Sequence, residues 1–239
     1  MAVVLFLFVV VVAQQSNGVA RLAPTATKTV TASQSAVASG PATTAAQPSA
    51  DPTPLAVKVA RNLADDPMAW GAMDAPLVII EWTDFRCPFC ASFANASLPT
   101  IYKDYVETGK VRFEVHDVAF FGDHSVDAAV GARAAGAQGK YREFMTALCA
   151  AAPASGHPEM AKEKRSGFAK TAGVPDLDKF SKALGDATLR TQVTDSTTLS
   201  QTMGVSGVPF FVIGNQTLDG AQPLAAFQQV IEKELAAAE

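Results

Sequence analysis

Two cysteines, Cys87 and Cys90, have the spacing of a pair that can close a small disulfide ring and open it again. The apolar, β-branched run at 76–82 predicts a buried strand immediately before them. The residues that follow have helix composition, and Pro88 suits a first helical turn, where its missing N–H is not needed. Cys87 is therefore expected at a helix N-terminus, where free amides and the helix dipole favour a thiolate. This arrangement predicts a redox centre.

Two other roles are open to the cysteine pair. A zinc site would need two further nitrogen or sulfur ligands at suitable spacing. The remaining cysteine and the histidines are scattered and form no second ligand pair; they are Cys149, His116, His124 and His157. An inert structural disulfide is the second alternative. Redox chemistry is favoured over both, with the Cys87–Cys90 disulfide itself as the redox group, no other cofactor and no metal.

Three segments carry a more specific pattern. VIIEWTDFRCPFC at 78–90 contains the cysteines, GDHS at 122–125 opens an alanine-rich stretch, and GVSGVPFFVIG occupies 204–214. In this order they resemble segments of the DsbA-like thiol–disulfide oxidoreductases. The resemblance covers most of residues 70–239 and implies an α/β, thioredoxin-like fold with an inserted helical domain at about 119–207. One position departs from the pattern, because Phe89 stands where the best-known oxidases of the family carry His.

The resemblance also implies roles for residues outside the cysteine pair. Pro209 is expected to follow a cis peptide bond and to face the cysteines, although X-Pro bonds in general favour trans. Val208 would then offer its backbone groups to an extended substrate peptide, which binds as an added strand. Pro88 and Phe89, beside the Cys87 sulfur, are expected to contact the same substrate.

Glu81 and Cys149 each have competing interpretations. Glu81 matches the buried acid that assists proton transfer at the inner cysteine in this family, and the alternative is a charge at a strand edge. Cys149 lies on the apolar helix stripe of Tyr141, Phe144, Met145 and Leu148. That position favours a small buried hydrophobe over a third redox thiol or an intermolecular disulfide. None of the three histidines has the partners of a general base.

The chain is expected to contain a targeting segment, a linker and one folded domain. Residues 1–20 include an apolar run that suits a signal peptide or a membrane anchor, and its missing basic flank suggests that translation begins upstream of Met1. Residues 21–55 are rich in Ala, Ser, Thr and Pro, which is typical of a disordered linker. Residues 56–239 form the folded domain. The net charge of −4 and the absence of a basic patch argue against nucleic-acid binding.

Within the folded domain the sequence predicts the remaining elements coarsely. The first helix should run to about 107, and 111–115 alternates as a strand with one polar face. Residues 119–207 should form several helices. Gly214-Asn215 predicts a hairpin between two short strands, and 223–238 a closing amphipathic helix.

The resemblance implies an exported protein dithiol oxidase that donates the Cys87–Cys90 disulfide to reduced secreted proteins. It would act in the extracytoplasmic cell envelope as an anchored or secreted monomer, and a membrane quinone-linked oxidase would reoxidise it. A thiol reductase or disulfide isomerase uses the same residues in the other direction. A non-enzymatic, stalked surface binding protein, with the cysteine pair as a staple, is a further alternative.

Overall fold

A five-stranded sheet forms the centre of the domain in a computed structural model, which describes residues 53–238. The strands lie in the order β1-β3-β2-β4-β5, with β2 and β3 parallel and the other neighbours antiparallel. Their bounds are Ala69–Trp70 (β1), Leu77–Thr83 (β2), Val111–Asp117 (β3), Phe210–Ile213 (β4) and Gln216–Asp219 (β5). The targeting segment and all but the last three residues of the linker lie outside the described residues.

The helices divide into those that flank the sheet and those inserted between β3 and β4. The flanking helices are α1 (Leu55–Val59), α2 (Pro88–Ala96), α3 (Leu98–Ile101), which continues into a π-helix at Tyr102–Val106, and α9 (Leu224–Ala238). The inserted helices are α4 (Asp123–Gly136), α5 (Tyr141–Ala150), α6 (Lys162–Thr171), α7 (Leu177–Ala183) and α8 (Ala187–Thr202). The predicted thioredoxin-like α/β core with a helical insertion is confirmed. Among residues 53–238, no helix has the length and apolarity that crossing a bilayer requires.

Aromatic side chains fill the face of the sheet that α2 and α9 cover. Phe93, Phe211 and Phe227 form a three-membered cluster with ring centroids 4.5–4.9 Å apart. All three are buried. The opposite face of β2 carries Trp82 and packs toward α1. With both faces covered, β2 is an apolar run that lacks the alternation of a half-exposed strand.

Small residues allow the inserted helices to pack closely around α4. A side chain on Gly131 would place its Cβ 2.9 Å from the ring of Phe144, which is fully buried on α5. The alanines of α4 that face its neighbours are also fully buried; they include Ala128, Ala129, Ala132 and Ala135. The Ala-rich composition of this stretch thus serves close helix packing.

One expectation about the strands was wrong, and one of the two interpretations of Glu81 is excluded. The polar face of β3 does not meet solvent, because Arg112, Glu114 and His116 are all buried. The segment after α1 covers this face, and the backbone N–H of Arg61 donates to the Glu114 carboxylate at 2.8 Å. Glu81 does not lie at a strand edge, since β2 is the middle strand of the sheet. A strand's position in a sheet depends on its partners, which alternation within the strand does not reveal.

Two short elements were missed and one helix was predicted too long. α1 and β1 have five and two residues and are too short to show a period. The helix expected to reach about 107 is interrupted after Ala96. Pro99 lies in the next turn and has no N–H to continue the hydrogen-bond ladder.

Cys149 lies on the buried face of α5, as its stripe predicted, and only 3% of the residue is exposed. We expect Cys149→Ala to lower the free energy of unfolding by about 1 kcal/mol through lost packing. The variant should exchange disulfides at nearly the wild-type rate. Denaturant unfolding and a thiol-exchange assay on the same preparation measure both effects. A folded variant that has lost turnover would show that Cys149 does more than pack.

Candidate active site

The cysteine pair lies at the start of α2, just after the end of β2. A short turn follows Thr83, and the Cys87 N–H donates to the Asp84 carbonyl at 2.9 Å. Cys87 is the N-cap residue of α2 and Pro88 is the first residue of the helix. Both cysteines are free thiols in this structure. The predicted order of strand, cysteine pair and helix is therefore confirmed.

Cys87 is the more acidic of the two thiols. The hydrogen bond from the Cys90 thiol is the largest influence that lowers the pKa of Cys87, which falls from 9.0 to about 6. The backbone N–H groups of Cys90 and Phe89, free at the start of the helix, lower it further. Burial and the charge of Asp84 oppose this shift without cancelling it. Cys87 is consequently a thiolate at neutral pH.

Cys90 has the opposite character. It lies in the first turn of α2 and is 1% exposed. Burial raises its pKa well above the ordinary value, and the neighbouring Cys87 sulfur raises it further. The reduced site therefore pairs a nucleophilic thiolate with a buried thiol that keeps its proton.

A cis peptide bond joins Val208 to Pro209, directly before β4. The Cys87 sulfur lies 3.5 Å from the Val208 carbonyl oxygen, which accepts a hydrogen bond from Cys87 only when the thiol is protonated. This contact joins residues 121 positions apart and places the proline segment against the cysteine pair, as the resemblance implied. The Val208 N–H donates to none of the residues within 53–238, so it is available to an added strand.

Glu81 lies on β2, on the same face as Leu77 and Ile79, and is 1% exposed. Burial raises its pKa from 4.5 to about 8, and a hydrogen bond with the Thr83 side chain lowers it only partly. Its charge contributes to the raised pKa of Cys90. One carboxyl oxygen, Oε2, has no hydrogen-bond partner among the described residues. The carboxyl is therefore protonated at neutral pH and within electrostatic reach of the inner cysteine.

Cys149 also lies near this buried carboxyl, on α5. Burial raises the pKa of its thiol to about 12, and the charge of Glu81 contributes. The Asn95 side chain donates to the Cys149 carbonyl at 2.9 Å and so joins α2 to α5. A thiol with this pKa is unreactive at neutral pH, which agrees with a packing role.

A cavity of about 1020 Å³ opens beside Cys87. Phe89, with 65% of its surface exposed, lies at this cavity together with Pro88. The other lining residues come from the loop before α4, the loop between α5 and α6, and the segment before Pro209; they are Ala119–Phe121, Ala154–His157, Gln201 and Gly204–Val208. The cavity has the position and size to take a peptide beside the reactive sulfur.

Sequence reasoning missed several residues of this cavity. His157 was given no role by the sequence, yet its ring stacks on Phe121 with a centroid distance of 3.7 Å. The carboxylate of Asp84 accepts from the N–H groups of Phe120 and Phe121 at 2.8 and 3.3 Å. Arg86 donates to three carbonyls of the two loops. No pattern in the local sequence predicts such contacts, because the residues that form them lie far apart in the chain.

The remaining histidines lie away from the cysteines. His116 is buried against Trp82 with ring centroids 5.3 Å apart, and burial lowers its pKa. His124 lies in the first turn of α4. In the part of the chain that the structure describes, no group of three or more His, Cys, Asp or Glu side chains could bind a metal ion.

Comparison with known proteins now identifies the family. A family model described as thioredoxin matches residues 63–233. The chain belongs to this thioredoxin family. Disulfide bond formation protein D of Bacillus subtilis is 25% identical over 167 residues, which are 69% of this chain and 75% of that protein. A putative protein-disulfide oxidoreductase of Rickettsia felis is 23% identical over 180 residues, 75% of this chain and 64% of that protein.

Solved structures show the same fold. Oxidised BdbD from Bacillus subtilis superposes with a TM-score of 0.66 at 24% identity, covering 72% of this chain and 94% of that chain. Alpha-DsbA1 from Wolbachia pipientis gives a TM-score of 0.64 at 20% identity, with 72% and 92% covered. The resemblance to the DsbA-like proteins is thus confirmed for the family and the fold.

Phe89→His should lower the pKa of Cys87 below its wild-type value of about 6. A His at this position can donate a hydrogen bond to the thiolate or bring a positive charge near it, whereas Phe can do neither. Ultraviolet absorbance of the thiolate against pH measures both proteins in the reduced state, and Phe89→Leu is the matched control without a donor. A pKa that is unchanged or higher in F89H would contradict this account.

Glu81→Gln tests the buried carboxyl. Because the folded-state pKa of about 8 lies above the ordinary 4.5, the unfolded chain ionises first as pH rises. The stability that Glu81 contributes is therefore present below the lower value and is lost as pH rises to about 8. Relative to E81Q, the unfolding free energy of the wild type should fall over this range by at most about 5 kcal/mol. Parallel curves in denaturant unfolding at several pH values would refute the raised pKa.

Proposed function

We propose that this protein is an exported protein dithiol oxidase that donates the Cys87–Cys90 disulfide to reduced exported proteins. The observation that carries the proposal is the difference between the two thiols. The pKa of Cys87 is lowered to about 6, whereas burial raises that of Cys90 well above its ordinary value. A low pKa makes Cys87 a good leaving group and stabilises the reduced site, and both effects favour giving the disulfide away.

The exchange proceeds in two steps that transfer two electrons to the protein. A substrate thiolate attacks the Cys87 sulfur of the disulfide, forms a mixed disulfide and expels Cys90, which takes up a proton because its pKa is high. A second substrate thiolate then attacks the substrate sulfur of the mixed disulfide and expels Cys87 as a thiolate. The substrate leaves with a new disulfide and Cys87–Cys90 is left as the reduced pair.

Glu81 is the group we assign to proton transfer at Cys90. It is protonated at neutral pH, and once it ionises its charge raises the pKa of the Cys90 thiol. When Cys90 is expelled, the Glu81 carboxyl supplies a proton; when the pair is reoxidised, it accepts one. Burial supports this role. Cys90 is shielded from water, so its proton must come from a neighbouring group inside the protein, and Glu81 is buried there as well.

The substrate peptide is expected to bind as an extended strand beside Val208 and Pro209. The Val208 carbonyl oxygen lies 3.5 Å from the Cys87 sulfur, so a substrate cysteine bound here would lie next to the reactive sulfur. Its N–H and the adjoining cavity, with Pro88 and Phe89, supply backbone and apolar contacts. Recognition through the backbone tolerates many substrate sequences.

Export is the second part of the proposal. The apolar run at 2–13 and the Ala-, Ser-, Thr- and Pro-rich 21–55 support a tethered or secreted domain in the cell envelope, where disulfides persist. The relative from Bacillus subtilis is called a disulfide bond formation protein. We further propose that the domain acts as a monomer and that a membrane quinone-linked oxidase regenerates its disulfide.

A thiol reductase or isomerase of the cell envelope is the second candidate, and the residue at position 89 favours keeping it. Phe89 offers no hydrogen bond or charge to the Cys87 thiolate, which leaves the disulfide a weaker oxidant than a His would. Equilibration of Cys87–Cys90 against a glutathione series measures the potential. An oxidising value supports donation of the disulfide, whereas a strongly reducing one supports the reductase.

Replacing the cysteines one at a time tests the order of attack. Cys87→Ser should abolish oxidative refolding of a reduced substrate, because the attacked sulfur is gone. In Cys90→Ser, incubated with the oxidised substrate, the Cys87 thiolate should attack the substrate disulfide and release one substrate thiol. The mixed disulfide should accumulate, because Cys90 is no longer there to displace the substrate from Cys87. Alkylation trapping and mass spectrometry identify the cysteine that carries substrate, with Cys149→Ala as the control that keeps both active thiols. Substrate attached to Cys90 would reverse the assignment.

A further inference from the structure

We propose that Arg86 is a positioning residue for the substrate peptide, which it serves by fixing two loops of the helical insertion against the turn that carries Cys87. These loops are 118–122, before α4, and 151–161, between α5 and α6. Together they form one wall of the cavity beside Cys87. The inference rests on the proposed function, because it concerns how the same cavity binds a peptide.

The guanidinium of Arg86 binds backbone carbonyls from both loops. Its Nε donates to the Pro158 carbonyl at 2.7 Å, and its two Nη groups donate to the carbonyls of Phe121 and His157 at 2.5 Å each. The Arg86 carbonyl in turn lies 3.1 Å from Nδ1 of His157. Arg86 is 9% exposed and, among residues 53–238, forms no ion pair with a carboxylate. Its charge is therefore satisfied by carbonyl dipoles.

The loop between α5 and α6 depends on these contacts. Within the described part of the chain, residues 153–159 form no backbone–backbone hydrogen bond. Most of them are exposed. The loop is bound at its end, where Met160 is buried and its N–H donates to His124 at 3.4 Å. From residue 153 to residue 159, the hydrogen bonds that the loop forms with other described residues are those with Arg86.

The wall that results is a pair of stacked rings. Phe121 and His157 come from different loops and lie with ring planes 16° apart. Arg86 binds the carbonyls of both residues, so one side chain sets their relative position. The Asp84 carboxylate adds to this by accepting the Phe121 N–H. Loss of the guanidinium would leave carbonyls unpaired and free the loop from the wall.

The thiol chemistry itself should not depend on this wall. The Cys87 thiolate is stabilised by the Cys90 thiol and by the N–H groups of Cys90 and Phe89. These groups belong to the first turn of α2 and not to the loops. Arg86 is thus expected to affect peptide binding while leaving the reaction of the cysteines with small thiols unchanged.

The experiment compares Arg86→Met with Arg165→Met in the full-length protein. Arg165 is a matched control, because it is 7% exposed, lies in the helical insertion and binds Asp127, which is not a lining residue of the cavity. R86M should increase amide hydrogen exchange at Phe121 and Met160, whose N–H groups are hydrogen-bonded at the two loops. It should also raise the KM for a reduced dithiol peptide at least tenfold. Its kcat and the rate at which dithiothreitol reduces Cys87–Cys90 should stay within twofold. R165M should leave loop exchange and KM near the wild type.

The results that would contradict the role of Arg86 differ from those that would contradict the proposed function. Unchanged exchange at Phe121 and Met160, an unchanged KM, or an equal fall in the dithiothreitol rate would overturn the role of Arg86. A wild type that exchanges disulfides with dithiothreitol but never with peptides would overturn the proposed function, while hydrogen exchange would still test the loop. If R86M does not fold, Arg86→Lys replaces it. Lys keeps the charge without the planar fork, so loop exchange and KM should still rise, and wild-type values would refute the proposal.

Discussion

The pairing of β2 with β4 is the interaction on which the site depends. Their antiparallel register sets Trp82 opposite Phe210, so the end of β2 meets the start of β4. The turn that leads to Cys87 leaves β2 at this point, and the cis Val208–Pro209 bond enters β4 beside it. A shift of one residue would exchange the faces of β2 and carry Glu81 away from the inner cysteine.

Differences in burial shift the pKa values of three neighbouring ionisable groups in different directions. Cys90 and Glu81 are in the interior, where desolvation favours their neutral forms and raises both pKa values. Cys87, three residues earlier, lies at the helix N-terminus, where free amides favour the thiolate. A single turn of helix thus separates an acidic thiol from one that keeps its proton.

The turn before Cys87 also joins the sheet to the helical insertion. Asp84 accepts N–H groups and Arg86 donates to carbonyls, so the two side chains bind opposite ends of backbone dipoles in the insertion. Both are buried, where an unpaired charge would be costly. The turn that presents the reactive sulfur therefore also holds the two loops that form the wall of the cavity.

Short-range signals in the sequence determined the parts of this protein that need only neighbours along the chain. The strand, the cysteine pair and the helix start, the α5 stripe with Cys149, and the hairpin at Gly214-Asn215 all follow from spacing and turn chemistry. The DsbA-like pattern supplied the cis bond before Pro209, for which no physical argument from the sequence alone was sufficient. The tertiary structure decided the remainder, namely the central place of Glu81, the covered polar face of β3, and the contact of Arg86 with His157. The last pair lies 71 residues apart. Such contacts depend on the order of the strands in the sheet and on which loops lie next to each other. Neither produces a periodic pattern in the local sequence.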